Sequence, residues 1–137
     1  MIDSGYAAEA EFVVQHRDTA AMLALEPRDR FPEVFATSRM IALMELAAAR
    51  AMHPLLEPGQ LSVGVGLEVR HTAATRVGCR VRGRATFLRY EGRFMRFKVE
   101  AFDEAGLIGE GEHTRTIVNN ERLMTGAARR GGSVPAG

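Results

Sequence analysis

The sequence predicts an α+β fold in which a strongly curved antiparallel β-sheet wraps around one long central helix. Residues 34–52 read VFATSRMIALMELAAARAM, a helical segment with apolar side chains on nearly every side. The chain after this segment alternates between apolar and polar residues, and this is the pattern of strands joined by turns. A helix that is apolar on most sides needs cover on most sides, and a curved sheet provides it better than a flat one.

The first half of the chain contains one strand and the long helix. Residues 8–14 (AEAEFVV) begin as an apolar and charged alternation, which predicts a strand. The stretch 18–31 includes Glu-Pro-Arg-Asp and therefore predicts a loop or a short helix. The long helix should begin near Thr37 and end at Pro54, because Pro54 and the Glu57-Pro58-Gly59 stretch stop a helix.

Four further strands are expected after the helix. Residues 62–71 form the first, with one face made of Val63, Val65, Leu67, Val69 and His71. The other three strands and the two turns between them are predicted at residues 79–90, 93–103 and 107–119, with turns at Glu91-Gly92 and at 104–106. Gly64 and Gly66 leave room for a ligand or a second chain to approach the strand backbone.

The composition is that of an ordinary globular domain. The 137 residues are 46% hydrophobic and 26% charged, and suit a single domain at residues 1–124. The small, glycine-rich tail at 125–137 is expected to be disordered. A net charge of +1 argues against nucleic acid or a membrane surface as partner. The lone Cys79 excludes an intramolecular disulfide and a cysteine-based zinc site, and without a secretion signal the expected location is cytoplasmic.

Glu45 is the first candidate for chemistry. It lies in the middle of the apolar helix, where a carboxylate is costly unless it is paired, hydrogen-bonded or protonated. The structural alternative is an ion pair with Arg39, Arg50 or Arg115.

Thr37 and His71 are the second and third candidates. Thr37 lies at the helix start, and His71 ends the next strand on the face that looks towards the helix. A hydroxyl, a carboxylate and an imidazole near a helix N-terminus are the groups that acyl transfer requires. The structural alternatives are an N-cap role for Thr37 and a core role for His71.

Other polar residues are weaker candidates. Six arginines of the predicted sheet form either a solvated face or a site for the phosphates of a nucleotide-like ligand, namely Arg80, Arg82, Arg84, Arg89, Arg93 and Arg96. His53 is interpreted as structural or solvent-exposed, and Cys79 as buried and unreactive.

At these residues the chain resembles the hotdog-fold thioesterases, and among them the fluoroacetyl-CoA thioesterase group. The similarity runs from about residue 31 to residue 121, and is densest in FPEVFAT, MELA, RAMHPLLEPG, RHTAAT and LIGEGEHTR. The threonine, glutamate and histidine of that group's active site match Thr37, Glu45 and His71 at the same intervals. A pocket glycine matches Gly64 and a late-strand arginine matches Arg115.

The resemblance implies a homodimer, paired through sheet edges, with active sites at the dimer interface. It also implies metal-free hydrolysis of an acyl-CoA thioester, with no cofactor beyond the CoA of the substrate. The aromatic residues available to close the acyl pocket are Phe31 and Phe35. The rest of that segment, ALEPRDRFPEVF, is charged and small, so selectivity for fluoroacetyl-CoA does not carry over.

The predicted function is therefore hydrolysis of a short or medium acyl-CoA by a homodimer, with a tetramer left open. His71 is the expected base and acid, and Thr37, Glu45 or water the nucleophile. An adjacent Glu45 is expected to raise the pKa of His71. The main alternative is a non-catalytic acyl-CoA-binding hotdog protein that senses a metabolite. A hotdog dehydratase is a third alternative, but its local Asp-to-His arrangement is not evident.

Overall fold

The computed structural model describes residues 1–131, which form a five-stranded antiparallel sheet and two α-helices. The strands β1 to β5 are Ala7–Val13, Gln60–His71, Arg80–Glu91, Phe94–Asp103 and Gly106–Asn119. Their order in the sheet is β1-β3-β4-β5-β2, and every neighbouring pair is antiparallel. Helix α1 (Thr37–Met52) lies between β1 and β2 in sequence, and α2 (Asn120–Gly131) follows β5. The predicted α+β architecture, one long helix packed on an antiparallel sheet, is confirmed.

The sheet buries one face of α1 and leaves the other open. The buried side chains of the helix are Met40, Leu43, Met44, Ala47, Ala48, Ala51 and Met52. They pack on inward-facing sheet residues such as Val81, Phe97 and Val99. The exposed positions of the opposite face include Ser38, Ala42, Glu45 and Leu46. The expectation of a helix buried on nearly every side is therefore wrong for a single chain, because five strands cover only one side of it.

Two glycines let the sheet approach α1 closely. A Cβ on Gly83 of β3 would lie 2.8 Å from Cγ of Leu43 and 3.0 Å from its carbonyl oxygen. A Cβ on Gly109 of β5 would lie 2.5 Å from Sδ of Met40. Packed carbon atoms sit at about 3.5–4.0 Å, so any larger residue would push the helix off the sheet. The two glycines thus set the distance between α1 and the strands.

Strand β2 is interrupted by a β-bulge. Gly64 pairs with Arg115 of β5, whereas Gly66 pairs with Thr114, so Val65 is an extra residue in the ladder. Arg115 is buried on the helix side of the sheet, and a Cβ on Gly66 would contact the Thr114 side chain on the outer side. Gly64 therefore faces α1 and Gly66 faces away from it.

The bulge corrects the predicted face of β2. Leu67, Val69 and His71 share the inner face, as the alternation predicted, because they pair with inward residues of β5. Val63 pairs with Thr116 and faces outward, since one extra residue shifts a two-residue period by one position. A strict alternation cannot reveal such a shift.

The C-terminal residues differ from the expected disordered tail. Helix α2 continues to Gly131, so the first part of the tail is helical. The side-chain oxygen of Asn119 accepts the backbone N–H of Arg122 at 2.9 Å, which caps the helix start. Residues 132–137 of the predicted tail lie outside the described residues. In the part of the chain that the structure describes, no helix is long and apolar enough to cross a membrane.

We predict that Gly83→Ala lowers the free energy of unfolding by about 1–3 kcal/mol, because the added methyl group overlaps Leu43. Urea unfolding followed by circular dichroism measures the change. The matched control is Gly126→Ala on the exposed helix α2, where an added Cβ meets nothing within 4 Å. Equal midpoints for the two variants would contradict the close helix–sheet contact.

Candidate active site

Loop contacts hold the N-terminus of α1 in place. The backbone N–H of Phe35 donates to the carbonyl of Thr75 at 2.7 Å. The buried carboxylate of Asp18 pairs with Arg39 in the first turn of α1, with Oδ1 3.0 Å from Nη2. These contacts fix the point at which the helix begins, and Thr37 is its first residue.

Thr37 contacts His71. Its Oγ1 lies 2.8 Å from Nδ1 of His71 at the end of β2. The N-cap position belongs to Ala36, which makes no side-chain cap, so the N-cap interpretation of Thr37 is wrong. The first N–H groups of a helix have no acceptor within it, and the hydroxyl–imidazole pair lies beside this positive end.

Burial sets the protonation state of His71. The ring is partly buried, and Phe35 packs edge-on to it with ring centroids 6.5 Å apart. Removal from water lowers the pKa of His71 below its ordinary value of 6.5, because burial disfavours the imidazolium. The ring is therefore neutral at pH 7, and Nδ1 can accept the hydroxyl proton of Thr37. Nε2 is buried and has no hydrogen-bond partner within residues 1–131.

Glu45 faces a different part of β2. A Cβ added to Gly64 would lie 3.1 Å from its Oε1. Its Oε2 is 3.9 Å from Nη1 of Arg115, so of the three arginines considered as ion-pair partners Arg115 is the one in contact. The Glu45 side chain is 47% exposed, which differs from the expected buried carboxylate. The reason is that the sheet leaves this face of α1 uncovered.

Within one chain the candidate residues form two separate groups. Thr37 and His71 are together, and Glu45, Gly64 and Arg115 are together. Eight residues of helix separate Thr37 from Glu45, about 12 Å along the axis. Gly64 and His71 lie about 20 Å apart along β2. The expected rise in the pKa of His71 caused by an adjacent Glu45 is therefore wrong for one chain, where burial lowers that pKa.

The sequence analysis missed His113, whose side chain is 1% exposed. Its Nδ1 is 2.8 Å from the carbonyl oxygen of Gly66, and its Nε2 is 3.1 Å from Nη1 of Arg115. Arg115 also donates to the hydroxyl and the carbonyl of Ser62, at 3.0 and 2.9 Å. Burial lowers the pKa of His113, and the charge of Arg115 adds to the effect. The sequence did offer one signal, because His113 and Arg115 are polar residues at successive inward positions of β5.

The remaining candidates divide into buried and solvated residues. Phe35 is 1% exposed and packs edge-on against the ring of His71. Phe31 lies in the loop before α1 and is 47% exposed. Five of the six sheet arginines form ion pairs with carboxylates, which supports the interpretation of a solvated face: Arg80, Arg82, Arg84, Arg89 and Arg96.

Comparison with known proteins identifies the family. The family model described as fluoroacetyl-CoA-specific thioesterase (FlK) matches residues 14–121. The chain belongs to this family. Its members are thioester hydrolases, so the predicted enzyme class is confirmed. The fluoroacetyl-CoA thioesterase of Streptantibioticus cattleyicolor is 43% identical over 115 residues, which cover 82% of this chain and 83% of that protein.

Solved structures confirm the hotdog fold of this family member. A mutant of the fluoroacetyl-CoA thioesterase crystallised with acetyl-CoA is 37% identical, with a TM-score of 0.87 over 96% of this chain and 100% of that chain. A hot-dog-like protein from Thermanaerovibrio acidaminovorans is 24% identical and shows the fold alone. Its TM-score is 0.81 over 96% of this chain and 94% of that chain.

The two buried histidines predict a pH-dependent stability. Burial lowers the pKa of both His71 and His113 below 6.5, so the unfolded chain binds protons more readily than the folded one in acid. The contribution of the two neutral histidines to stability is fully present above their unfolded pKa of 6.5. It is lost as the pH falls through their lower pKa values in the folded protein. We expect the thermal midpoint to fall between about pH 7 and pH 5, above the range of most carboxylates. A midpoint that stays constant over this range would contradict the burial of both rings.

Proposed function

We propose that the protein is a homodimeric hydrolase that converts a short or medium acyl-CoA into the free acid and CoA. Each active site combines Thr37 and His71 of one subunit with Glu45 of the partner subunit. The observation that carries this proposal is the separation of the site into two groups along one open helix face. A site divided in this way is completed by a second copy of the chain.

The surface that connects the two groups has the features of an interface. Ala42 and Leu46 are exposed on α1 between and beside the two groups, and Leu46 is 42% exposed. Strand β2 is at the edge of the sheet, and its Val65 and Leu67 are 50% and 36% exposed. An exposed edge strand with apolar side chains is unfavourable in a monomer, and pairing with a second edge removes the problem.

Two-fold symmetry brings the groups together. In an isologous dimer whose two-fold axis is perpendicular to α1, the two copies of the helix run antiparallel. An axis near Ile41, midway between Thr37 and Glu45, places Thr37 opposite Glu45 of the partner subunit. Antiparallel pairing of the two β2 edges about an axis near Leu67 would place His71 opposite Gly64 of the partner subunit in the same way. Both elements therefore support one arrangement with two identical sites.

Proton transfer in the proposed mechanism follows the hydrogen bond between Thr37 and His71. Neutral His71 accepts a proton at Nδ1, either from the Thr37 hydroxyl or from a water bound beside it, as the freed oxygen attacks the thioester carbonyl. The N–H groups at the start of α1 stabilise the resulting oxyanion. The carbon–sulfur bond then breaks, and the imidazolium returns its proton to the CoA thiolate.

Glu45 of the partner subunit balances the charge of the imidazolium, or it attacks the acyl carbon and expels the CoA thiolate, and water then hydrolyses the acyl anhydride and restores the carboxylate. If Thr37 is the nucleophile, a water molecule hydrolyses the acyl-threonine in a second step, in which His71 accepts a proton from the water and returns it to the Thr37 oxygen as the ester bond breaks. All these routes end with the acid and free CoA. The family relationship and the small residues Gly64 and Ala42 beside Glu45 support a short acyl group.

We predict that Glu45→Gln lowers thiol release by about a hundredfold or more while the protein stays folded, because the size is kept and the charge is removed. The assay is a panel of acyl-CoAs from acetyl to long-chain, with and without halogen. The control is Glu104→Gln in the exposed turn between β4 and β5. If the wild-type protein binds acyl-CoA but hydrolyses none of the panel, the result would favour the metabolite-sensor alternative.

We predict that Ala42→Arg, at the centre of the open helix face, gives a monomer with about a hundredfold less turnover, because each site loses the Glu45 of the partner subunit. Light scattering at micromolar concentration measures the assembly. Ala128→Arg on the exposed helix α2 is the matched control and should stay dimeric and active. A fully active monomeric wild type would overturn the shared site.

A further inference from the structure

We propose that His113 is a positioning residue that orients Arg115 towards Glu45, and that it does so only while its imidazole is neutral. The inference rests on the proposed function, since it assigns the control of Glu45 in the same site. It adds a second histidine, remote from the reacting atoms, on which turnover depends.

The guanidinium of Arg115 is held by hydrogen bonds on all three of its nitrogens. Nε donates to the hydroxyl of Ser62, and Nη2 donates to the Ser62 carbonyl. Nη1 lies 3.1 Å from Nε2 of His113 and 3.9 Å from Oε2 of Glu45. Ser62 fixes one edge of the planar group, and His113 fixes the nitrogen that faces Glu45. The side chain of Arg115 is 6% exposed, so no bulk water competes for these contacts.

The two partners of His113 determine its tautomer. A guanidinium has no acceptor, so Nε2 must accept the Nη1–H of Arg115 and carries no proton. The carbonyl of Gly66 has no donor, so Nδ1 must carry the proton and donate it. Both contacts are satisfied together by the neutral Nδ1–H form alone.

Protonation of His113 would break this arrangement. An imidazolium would direct an Nε2–H at the guanidinium, which replaces a hydrogen bond with the repulsion of two donors and two positive charges. The charged groups that face His113 are Arg115 on the same strand and Glu45 on α1, and β2 contributes the neutral carbonyl of Gly66. Arg115 opposes protonation and Glu45 favours it. The buried surroundings also oppose it, in agreement with the lowered pKa.

Glu45 has little support from its own chain apart from Arg115. Within one chain almost half of its side chain is exposed, and Arg115 is the one cation within 4.0 Å of it among residues 1–131. A catalytic carboxylate must be held within about 0.5 Å of its working position. The two side chains also hold β2 on both sides of its bulge. His113 bonds to the carbonyl of Gly66 and Arg115 to the carbonyl of Ser62, and this keeps Gly64 next to the Glu45 carboxylate.

Two substitutions separate the contacts of His113. Gln places an amide oxygen near Nε2 and can still accept from Arg115, whereas Asn reaches only the Nδ1 position and the Gly66 carbonyl. We expect His113→Gln to keep kcat within about threefold of wild type, and His113→Asn to lower kcat about tenfold with KM nearly unchanged. Equal kcat values in the two variants and the wild type would overturn the proposal, as would a loss confined to KM.

The pH profile provides a readout that a merely structural role would not change. In wild type, His71 and His113 must both be neutral, so log kcat/KM should rise with a slope approaching about two on the acid side. In His113→Gln only His71 remains, and the slope should be about one. An identical slope in both proteins would contradict the proposal.

Nitrogen-15 NMR of the wild-type histidine rings keeps the test valid if either variant fails to fold. One buried ring should be in the Nδ1–H form at pH 7, and Arg115→Lys should change its signal because the fixed donor is lost. An Nε2–H or doubly protonated ring at position 113 would overturn the inference. Failure of the proposed function is distinguishable, since it would appear as absent thiol release in wild type while the NMR result still stands.

Discussion

The half-covered helix is the constraint on which the rest of the structure depends. Five strands curl over one side of α1 and bury its three methionines, Leu43 and three alanines, but they do not reach the other side. The open side carries Thr37 at one end and Glu45 two turns further along. A single chain therefore holds both parts of the proposed active site without bringing them together. The proposed dimer follows from this geometry, because a second copy covers the helix and completes the site in one step.

The fold supplies precision at each part of the site through different interactions. Gly83 and Gly109 set the distance between α1 and the sheet, and the Asp18–Arg39 ion pair fixes the position of the first helical turn. His71 is placed by the end of β2 and made neutral by burial. On β5, the buried pair of His113 and Arg115 holds Glu45 and the bulged part of β2. A bulge beside a site is a recurring device, because the extra residue turns a backbone segment towards the ligand.

The sequence predicted the elements well, because each long segment has a clear period. The start of α1, the hairpin turns and the four later strands agree with the expected positions to within a few residues. The periods could not show which residue pairs with which. The bulge at Val65 reverses the face of Val63, and the exposure of Glu45 depends on how far the sheet curls. His113 was missed because a histidine in an alternating strand gives no sign of its partners until the register of β2 and β5 is known.

The most direct test of the shared site is complementation between two inactive variants. Glu45→Gln and His71→Ala are purified separately, mixed in equal amounts, and allowed to exchange subunits. If each site uses Glu45 of one subunit and His71 of the other, a mixed dimer has one site with both defects and one intact site. Random exchange should then restore about a quarter of wild-type thiol release. No recovery after confirmed subunit exchange would show that each site takes both residues from the same chain, and would contradict the account.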